Sequence, residues 1–357
     1  MVLRGGTSKG AYFVGEDLPA DSEQRDSLLL RIMGSPDERQ IDGIGGAHPL
    51  TSKVAIVSVS DDDAADIDYL FLQIGVGQPT VSDRQNCGNL LAGVAPFAIE
   101  RGLVESPGDD VSLRIRMLNT NAIATASMTL VDGQPTYEGG VAISGVPGTA
   151  APIYLDFEDT AGSTCGSLLP TGNVVDVVAG IEVSCVDNGM PTVVLRAADL
   201  GIEGDEECRV LEANELFRER LEGLRLAAAE LMGLGDVREA TIPKMTLLSR
   251  PRAGGSICTR TFIPHRCHDA IGVLGAVSVA TAILLRGAPG SELFEAGEDP
   301  SVVDIEHPTG TFTARIEVTM DDDKIVVGRS GIVRTARKLM DGMVFPRSPR
   351  PQEQGRS

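Results

Sequence analysis

The sequence predicts an α/β protein in which two similar units each wrap strands around one central helix. Three observations predict it. Short strand-like runs bounded by Gly, Pro, Asp or Asn fill both halves of the chain. Each half also holds one helix that is apolar almost all round and therefore belongs inside something. Laid over each other, those two helices run in step: Arg101-Gly102 and Arg286-Gly287 stand 185 residues apart, and that offset carries Cys87 onto Gly272 and Val94-Ala95 onto Val279-Ala280.

In the first third, strands are expected at Val54 to Ser58, Tyr69 to Ile74, Val111 to Met117 and Ala122 to Leu130. A helix over Glu23 to Met33 is closed by Gly34, and the first central helix runs from Cys87 to Arg101. The second half repeats the scheme. Strands are expected at Ile181 to Val186, Thr192 to Ala197, Lys244 to Leu248 and Ser256 to Phe262, with an amphipathic helix over Asn214 to Met232 and the second central helix over Gly272 to Arg286. A hairpin follows at Thr311 to Val318 and Lys324 to Gly328. The expected division is 1–160 and 161–325, with a strand at 326–346 as a candidate to pack back on the first unit and a disordered tail at 347–357.

A chain of 357 residues with 42% hydrophobic and 23% charged residues is long enough for two domains and too apolar for disorder. Thirty-one Lys and Arg against 51 Asp and Glu give a formal charge of −20, which repels nucleic acid and anionic membranes. The absence of Trp and an aromatic content of 4% argue against base-stacking platforms and leave cores of Val, Ile, Leu and Ala. No uninterrupted apolar run of about 18 residues appears, and Met1-Val2-Leu3-Arg4-Gly5-Gly6 does not read as a leader, so a cytoplasmic protein is expected. The six cysteines form no CxxC pair and are expected to be reduced thiols.

Chemistry is carried by a few segments. Gln85-Asn86-Cys87-Gly88-Asn89 sets a thiol at the first turn of a buried helix, where the dipole favours an anion; the alternative is a small buried hydrophobe. Lys53 leads an apolar strand after Gly45-Gly46-Ala47-His48-Pro49-Leu50-Thr51-Ser52, and is either a solvated strand end or, in a cleft, a candidate base. Arg4-Gly5-Gly6-Thr7-Ser8-Lys9-Gly10 is a glycine-rich turn fit to hold an anion through backbone N–H groups, without phosphate-loop spacing; a plain surface turn reads equally well. Ile263-Pro264-His265-Arg266-Cys267-His268 offers too few ligands for structural zinc, so no metal is expected, and Arg266 reads as a carboxylate clamp. No nucleophile elbow or dinucleotide fingerprint is present, which excludes the hydrolase and NAD-enzyme classes that need one.

These segments, together with GVLGAVSVATA from Gly272 to Ala282 and RTARKLMDGMVF from Arg334 to Phe345, resemble the PrpF-like isomerase family over residues 2 to 345. The resemblance implies a diaminopimelate epimerase-like α/β (α+β) fold of two pseudo-symmetric domains, each a mostly antiparallel barrel-like sheet around a central helix, with the site between them. It implies Lys53 and Cys87 as an acid/base pair, since Gly272 stands where a two-cysteine epimerase has its second thiol. It further implies substrate contacts at Thr7, Ser8, Lys9, Ser52, Asn86, Gly88, Asn89, Asn119, Arg266, His268, Leu274 and Gly275, and no cofactor. The implied reaction is a proton shift in an unsaturated oxo-tricarboxylate such as 4-oxalomesaconate, by keto–enol or 1,3-allylic isomerisation, in gallate or protocatechuate breakdown. Methylaconitate and methylitaconate are the alternative substrates; a non-catalytic polycarboxylate-binding protein and a metal-dependent hydratase are the rival classes. Partners are expected to be the small substrate and, at most, a second copy in a homodimer. Two departures stand out: Leu118-Asn119-Thr120-Asn121 replaces a family ENTG, and His48 replaces an Asp before Pro-Leu-Thr-Ser-Lys.

Overall fold

The computed structural model describes residues 1–84, 86–105, 108–321 and 324–349; the expected disordered tail lies outside these residues from 350 onward, as does Gln85. Arg347 lies inside them, and its carbonyl accepts a 2.8 Å hydrogen bond from Arg31. The chain forms two compact units, one of Met1–Leu155 with the chain from Arg334, the other of Asp156–Val333.

In the first unit Val2–Gly5 and Ser8–Val14 make a hairpin, and Ser8–Val14 runs parallel to Lys53–Val59. Lys53–Val59 is antiparallel to Ile67–Ile74, which is parallel to Asp110–Met117, itself antiparallel to Ala122–Val131. Pro152–Phe157 links Ala122–Val131 to the last strand, Lys324–Met340, whose end pairs with Val2–Gly5 and closes a barrel. The second unit repeats this order sign for sign. Ile181–Asp187 is antiparallel to Pro191–Arg196, which is parallel to Lys244–Ser249; then come Ile257–Ile263 (antiparallel), Val302–His307 (parallel) and Gly310–Asp321 (antiparallel). Even the two-residue strands recur, Val81–Ser82 on Ile67–Ile74 and Arg266–Cys267 on Ile257–Ile263. The expected α/β architecture of repeated, mostly antiparallel sheets around central helices therefore holds at the level of strand pairing.

Helices cover both faces of the strands in each unit. On the outer face of the first, Val54, Ile56, Leu72 and Ile74 pack against Leu29, Ile32 and Met33 of the helix Ser22–Met33. In the second, Met245, Leu247 and Phe262 pack against Phe217, Leu221 and Leu224 of Glu215–Leu231. Strand side chains alternate, so the opposite set, Lys53, Ala55 and Val57 in one unit and Lys244, Thr246 and Leu248 in the other, faces the central helix. Both outer helices start on an Asx cap: Asp21 accepts from the Gln24 N–H and Asn214 from the Phe217 N–H.

Two expectations need correction. The helix expected from Cys87 to Arg101 is broken into Gly88–Leu91 and Val94–Glu100. Pro96 forces the break: it has no N–H to give the carbonyl of Ala92, and its ring would collide with that group in a continuous helix. Restarting at Val94 puts the proline in the first turn, where no intrahelical donor is needed. The counterpart Val273–Leu284 has no proline and runs unbroken, buried from Gly275 to Ile283. Secondly, Arg4 to Gly10 is a hairpin with Arg4 opposite Lys9 and Gly5 opposite Ser8. Its glycines admit the central helix: a Cβ at Gly5 would lie 2.4 Å from the Asn89 carbonyl oxygen, and one at Gly6 (φ 51°) 2.2 Å from Asn89 Oδ1. The backbone donors are already used, Gly6 N–H on the Thr335 carbonyl at 2.9 Å and Thr7 N–H on Asn89 Oδ1 at 3.4 Å. No helix among the described residues is long and apolar enough to cross a membrane.

The corner between the two short helices gives a direct test. A Cβ on Gly93 would sit 2.4 Å from the Tyr12 hydroxyl, which donates a 2.6 Å hydrogen bond to the Leu90 carbonyl. Gly93→Ala is expected to destabilise the protein by about 1 to 3 kcal/mol through overpacking, read from the denaturant midpoint. Tyr12→Phe in that background should recover part of the loss; an unchanged midpoint in the single variant would contradict the packing described.

Candidate active site

Lys53 begins its strand opposite Gly10 on one side and Gln73 on the other. It is buried, with 6% of its surface exposed. Its Nζ donates to Gln73 Oε1 at 2.8 Å and lies 4.9 Å from the centre of the Phe71 ring. The Gln73 amide cannot turn over, because its Nε2 donates to the carbonyls of Pro49 and Ser52, both at 3.1 Å. A glutamine oxygen and an aromatic face thus fix the amine in a place largely closed to water. His48 shapes the approach, its Nδ1 accepting from the Leu50 N–H at 3.1 Å to cap the turn Pro49–Thr51.

Cys87 is the N-cap of Gly88–Leu91 and is also buried, a free thiol that makes no capping hydrogen bond. Two phenols hold the turn that carries it: Tyr69 donates to the Cys87 carbonyl at 3.3 Å and Tyr12 to the Leu90 carbonyl. Burial first, and then the neighbouring Cys87, push both phenols well above the ordinary tyrosine range, so both stay donors. Tyr69, Phe71 and Gln73 are alternate residues of one strand and so share one face. That face touches the backbone of Cys87 at one end and the amine of Lys53 at the other.

Several residues expected to touch substrate have other work. Asn119 brackets Phe71, its Oδ1 accepting from the Phe71 N–H and its Nδ2 donating to the carbonyls of Phe71 and Asp83, all within 2.9 Å. Its side chain is spent on holding the strand beneath Lys53. Ser52 is fully buried and donates to Gln40 Oε1 at 2.6 Å. Asn89 donates to Thr7 Oγ1 at 3.1 Å, tying the helix to the hairpin turn, and Gly88 opens the helix. Asn86 donates to Thr120 Oγ1 at 2.6 Å but leaves its buried Oδ1 without a partner beside Cys87.

Thr7, Ser8 and Lys9 line a cavity of about 460 Å³ with Arg4, Arg337 and the segment Val141 to Ala150. Ser8 Oγ is buried there without a hydrogen-bond partner, and burial together with Arg337 pulls Arg4 below the usual arginine range. The cavity is cationic, but Lys53 and Cys87 are not in its lining.

In the second unit Arg266 is exposed and its Nε bonds Glu212 at 3.1 Å, so a carboxylate clamped by Arg266 would have to displace that partner. His268 is half-buried; its Nδ1 accepts from the Ala270 N–H at 2.9 Å, and burial pulls it below the ordinary imidazole range. Leu274 and Gly275 lie in the first turn of Val273–Leu284, where backbone N–H groups have no intrahelical acceptor.

Sequence reasoning passed over Lys244. It starts its strand opposite Thr192 as Lys53 starts its own opposite Gly10, and Met245, paired with Phe262, matches Val54, paired with Leu72. Lys244 therefore occupies the place of Lys53, and Gly272, the N-cap of its helix, that of Cys87. Its Nζ donates to the Thr241 carbonyl at 2.6 Å, and burial and then Arg225 pull the amine below the ordinary lysine range. The signal was in the sequence: a lysine heads the matching strand of each half, 191 residues apart. Gln73 and Phe71 carried no such mark.

Comparison with known proteins places this geometry. The family model described as PrpF protein matches residues 1–347. The chain is 57% identical over 346 residues to the (4E)-oxalomesaconate Delta-isomerase of Novosphingobium sp. strain KA1, covering 97% of this chain and 96% of that one. It is 54% identical over 345 residues to the 4-oxalomesaconate tautomerase of Pseudomonas putida, covering 96% and 94%. Among solved structures, a methylitaconate-delta-isomerase superposes with a TM-score of 0.84 at 34% identity, over 96% of this chain and 93% of that one.

His268 yields a pH test. Its folded-state affinity for a proton is lowered, so below the unfolded value of 6.5 the unfolded chain binds more protons, and stability falls as pH falls. The melting temperature of the wild type minus that of His268→Gln is expected to decrease from about pH 7 to about pH 5. A difference that stays constant would remove His268 from the acid response.

Proposed function

This chain belongs to the PrpF family and is an isomerase, and from that premise we propose that its substrate is an unsaturated oxo-tricarboxylate, 4-oxalomesaconate, isomerised in the cytoplasm during gallate or protocatechuate breakdown. The observation that carries the reading is the shared face of Ile67–Ile74, which holds two buried proton-carrying residues at its two ends, Lys53 through its amine and Cys87 through its backbone carbonyl.

In this mechanism the Lys53 amine takes the acidic proton from the carbon next to the carbonyl or its vinylogue, leaving a delocalised enolate. The Cys87 thiol returns a proton at oxygen, giving the enol, or at the far allylic carbon, giving the shifted alkene. Lys53 accepts one proton and Cys87 donates one, so charge and atoms balance without a cofactor. An enolate beside three carboxylates needs fixed positive charge. Ser8, Lys9, Asn86 and the first-turn N–H groups of Leu274 and Gly275 are proposed to contribute to binding. Lys244 is proposed separately as a carboxylate-binding residue: with Gly272 in place of a thiol, the second lysine has no acid partner.

Proton NMR in deuterium oxide tests the pair. The wild type should speed deuterium incorporation into 4-oxalomesaconate, while Lys53→Ala and Cys87→Ser, folded by circular dichroism, should each lose about 100-fold to 10,000-fold in rate. Variants as fast as the wild type would end the mechanism. The 34% identical methylitaconate-delta-isomerase supports a second reading, in which methylitaconate or methylaconitate is the substrate; a wild type inert toward 4-oxalomesaconate but active on either would select it. For Lys244→Met, KM should rise about tenfold or more with kcat changed far less. A fall in kcat at unchanged KM would make Lys244 a participant in the chemistry instead.

A further inference from the structure

We propose that Cys208 and Cys267 form a dithiol pair that a peroxide converts to a disulfide, locking the segment that leads into the second central helix. Their sulfurs lie 2.6 Å apart, inside van der Waals contact and only about half an ångström beyond bonding distance. The surroundings hold them there. Cys208 opens the helix Cys208–Ala213, and Glu212 on that helix accepts hydrogen bonds from the Cys267 N–H at 3.0 Å and from Arg266 Nε at 3.1 Å. Cys208 Sγ also reaches the His268 carbonyl at 3.8 Å. One carboxylate thus clamps helix to strand and holds the two sulfurs against each other.

The two thiols are unequal. Cys267 is buried in the apolar cluster with Phe217 and Phe262, and burial followed by the contact with Cys208 pushes its thiol far above the ordinary range. Cys208 is half-buried and therefore the one a small oxidant reaches. Peroxide attack by the Cys208 sulfur breaks the O–O bond and gives a sulfenic acid with loss of hydroxide, which leaves as water. The Cys267 sulfur then displaces the sulfenic oxygen, losing its proton; the S–S bond forms and a second water departs. Two thiols have lost two electrons and two protons to one peroxide. The linkage joins Cys208–Ala213 to Arg266–Cys267, so that Arg266, His268 and the entry to Val273–Leu284 become immobile. The sequence, lacking a CxxC pair, leads to an expectation of six independent thiols; the fold pairs two of them across 59 residues.

The inference is independent of the substrate and is tested on the full-length protein with hydrogen peroxide as the probe. After oxidation and alkylation, non-reducing peptide mass spectrometry should find Cys208 linked to Cys267, with a loss of about 2 Da that dithiothreitol reverses. Amide exchange over 266–272 should slow in the linked form. In Cys208→Ser, Cys267 should be recovered alkylated at peroxide levels that link it in the wild type. Recovery of both residues as separate alkylated or sulfinic species in the wild type would overturn the proposal, as would linkage of either one to another cysteine.

Discussion

The register between Lys53–Val59 and Ile67–Ile74 is the constraint on which the candidate site depends. Lys53 lies opposite Gln73, and Ala55 opposite Phe71. That pairing sends Tyr69, Phe71 and Gln73 to the inner face and Leu72 and Ile74 outward onto the helix Ser22–Met33. A slip of one residue would exchange the two sets, burying Gln73 against Leu29 and Met33 and stripping Lys53 of its acceptor. The apolar packing outside the barrel and the polar chemistry inside it are thus two faces of one alignment. Asn119 reinforces it by closing hydrogen bonds on both backbone groups of Phe71.

The two units share a strand order and diverge around Lys53 and Cys87. Gly272 stands at the helix N-cap where the first unit has Cys87, and Ile263 stands in the sheet position of Gln73, so Lys244 has neither a thiol at the matching N-cap nor a fixed amide acceptor. Lys244 turns to a backbone carbonyl instead. Duplicated scaffolds commonly retain packing while their functional positions drift, because packing is enforced by every neighbour and a functional group only by its own reaction. The broken helix of the first unit fits this: Pro96 ends the turn bearing Cys87 after one cycle, and two tyrosines replace the longer helix as its support.

Much of the fold was legible because long-period signals survive in a single sequence. Strand positions, the two outer helices and the echo between the central helices follow from alternation, helical period and offset. The errors share a cause as well. Pro96 was hidden in an apolar run and Arg4 to Gly10 in its glycines, which read as a loop but serve the close approach of Asn89. At the site, Lys53 and Cys87 were visible as residue types in a telling setting, whereas Gln73 and Phe71 were ordinary strand residues until pairing put them beside Lys53. Asn119 and Ser52 show what pairing adds: polar residues near a motif whose hydrogen bonds within the scaffold are visible only in the fold.

Charge explains why burial matters so much here. With a net −20 the protein's distant field opposes any polyanion, so attraction of one has to be short-ranged and supplied by groups that water does not screen. Ser8 with an unanswered hydroxyl and Lys244 with its amine half withdrawn from solvent are such groups. A charge held in a poorly solvated place acts on a nearby negative charge far more strongly than the same charge on the surface. Arg266, exposed and neutralised by Glu212, is the counterexample within the same chain. The abundant surface carboxylates and the few sheltered cations belong to one arrangement: the first oppose indiscriminate binding of anions, and the second are where the scaffold holds positive charge that water screens poorly.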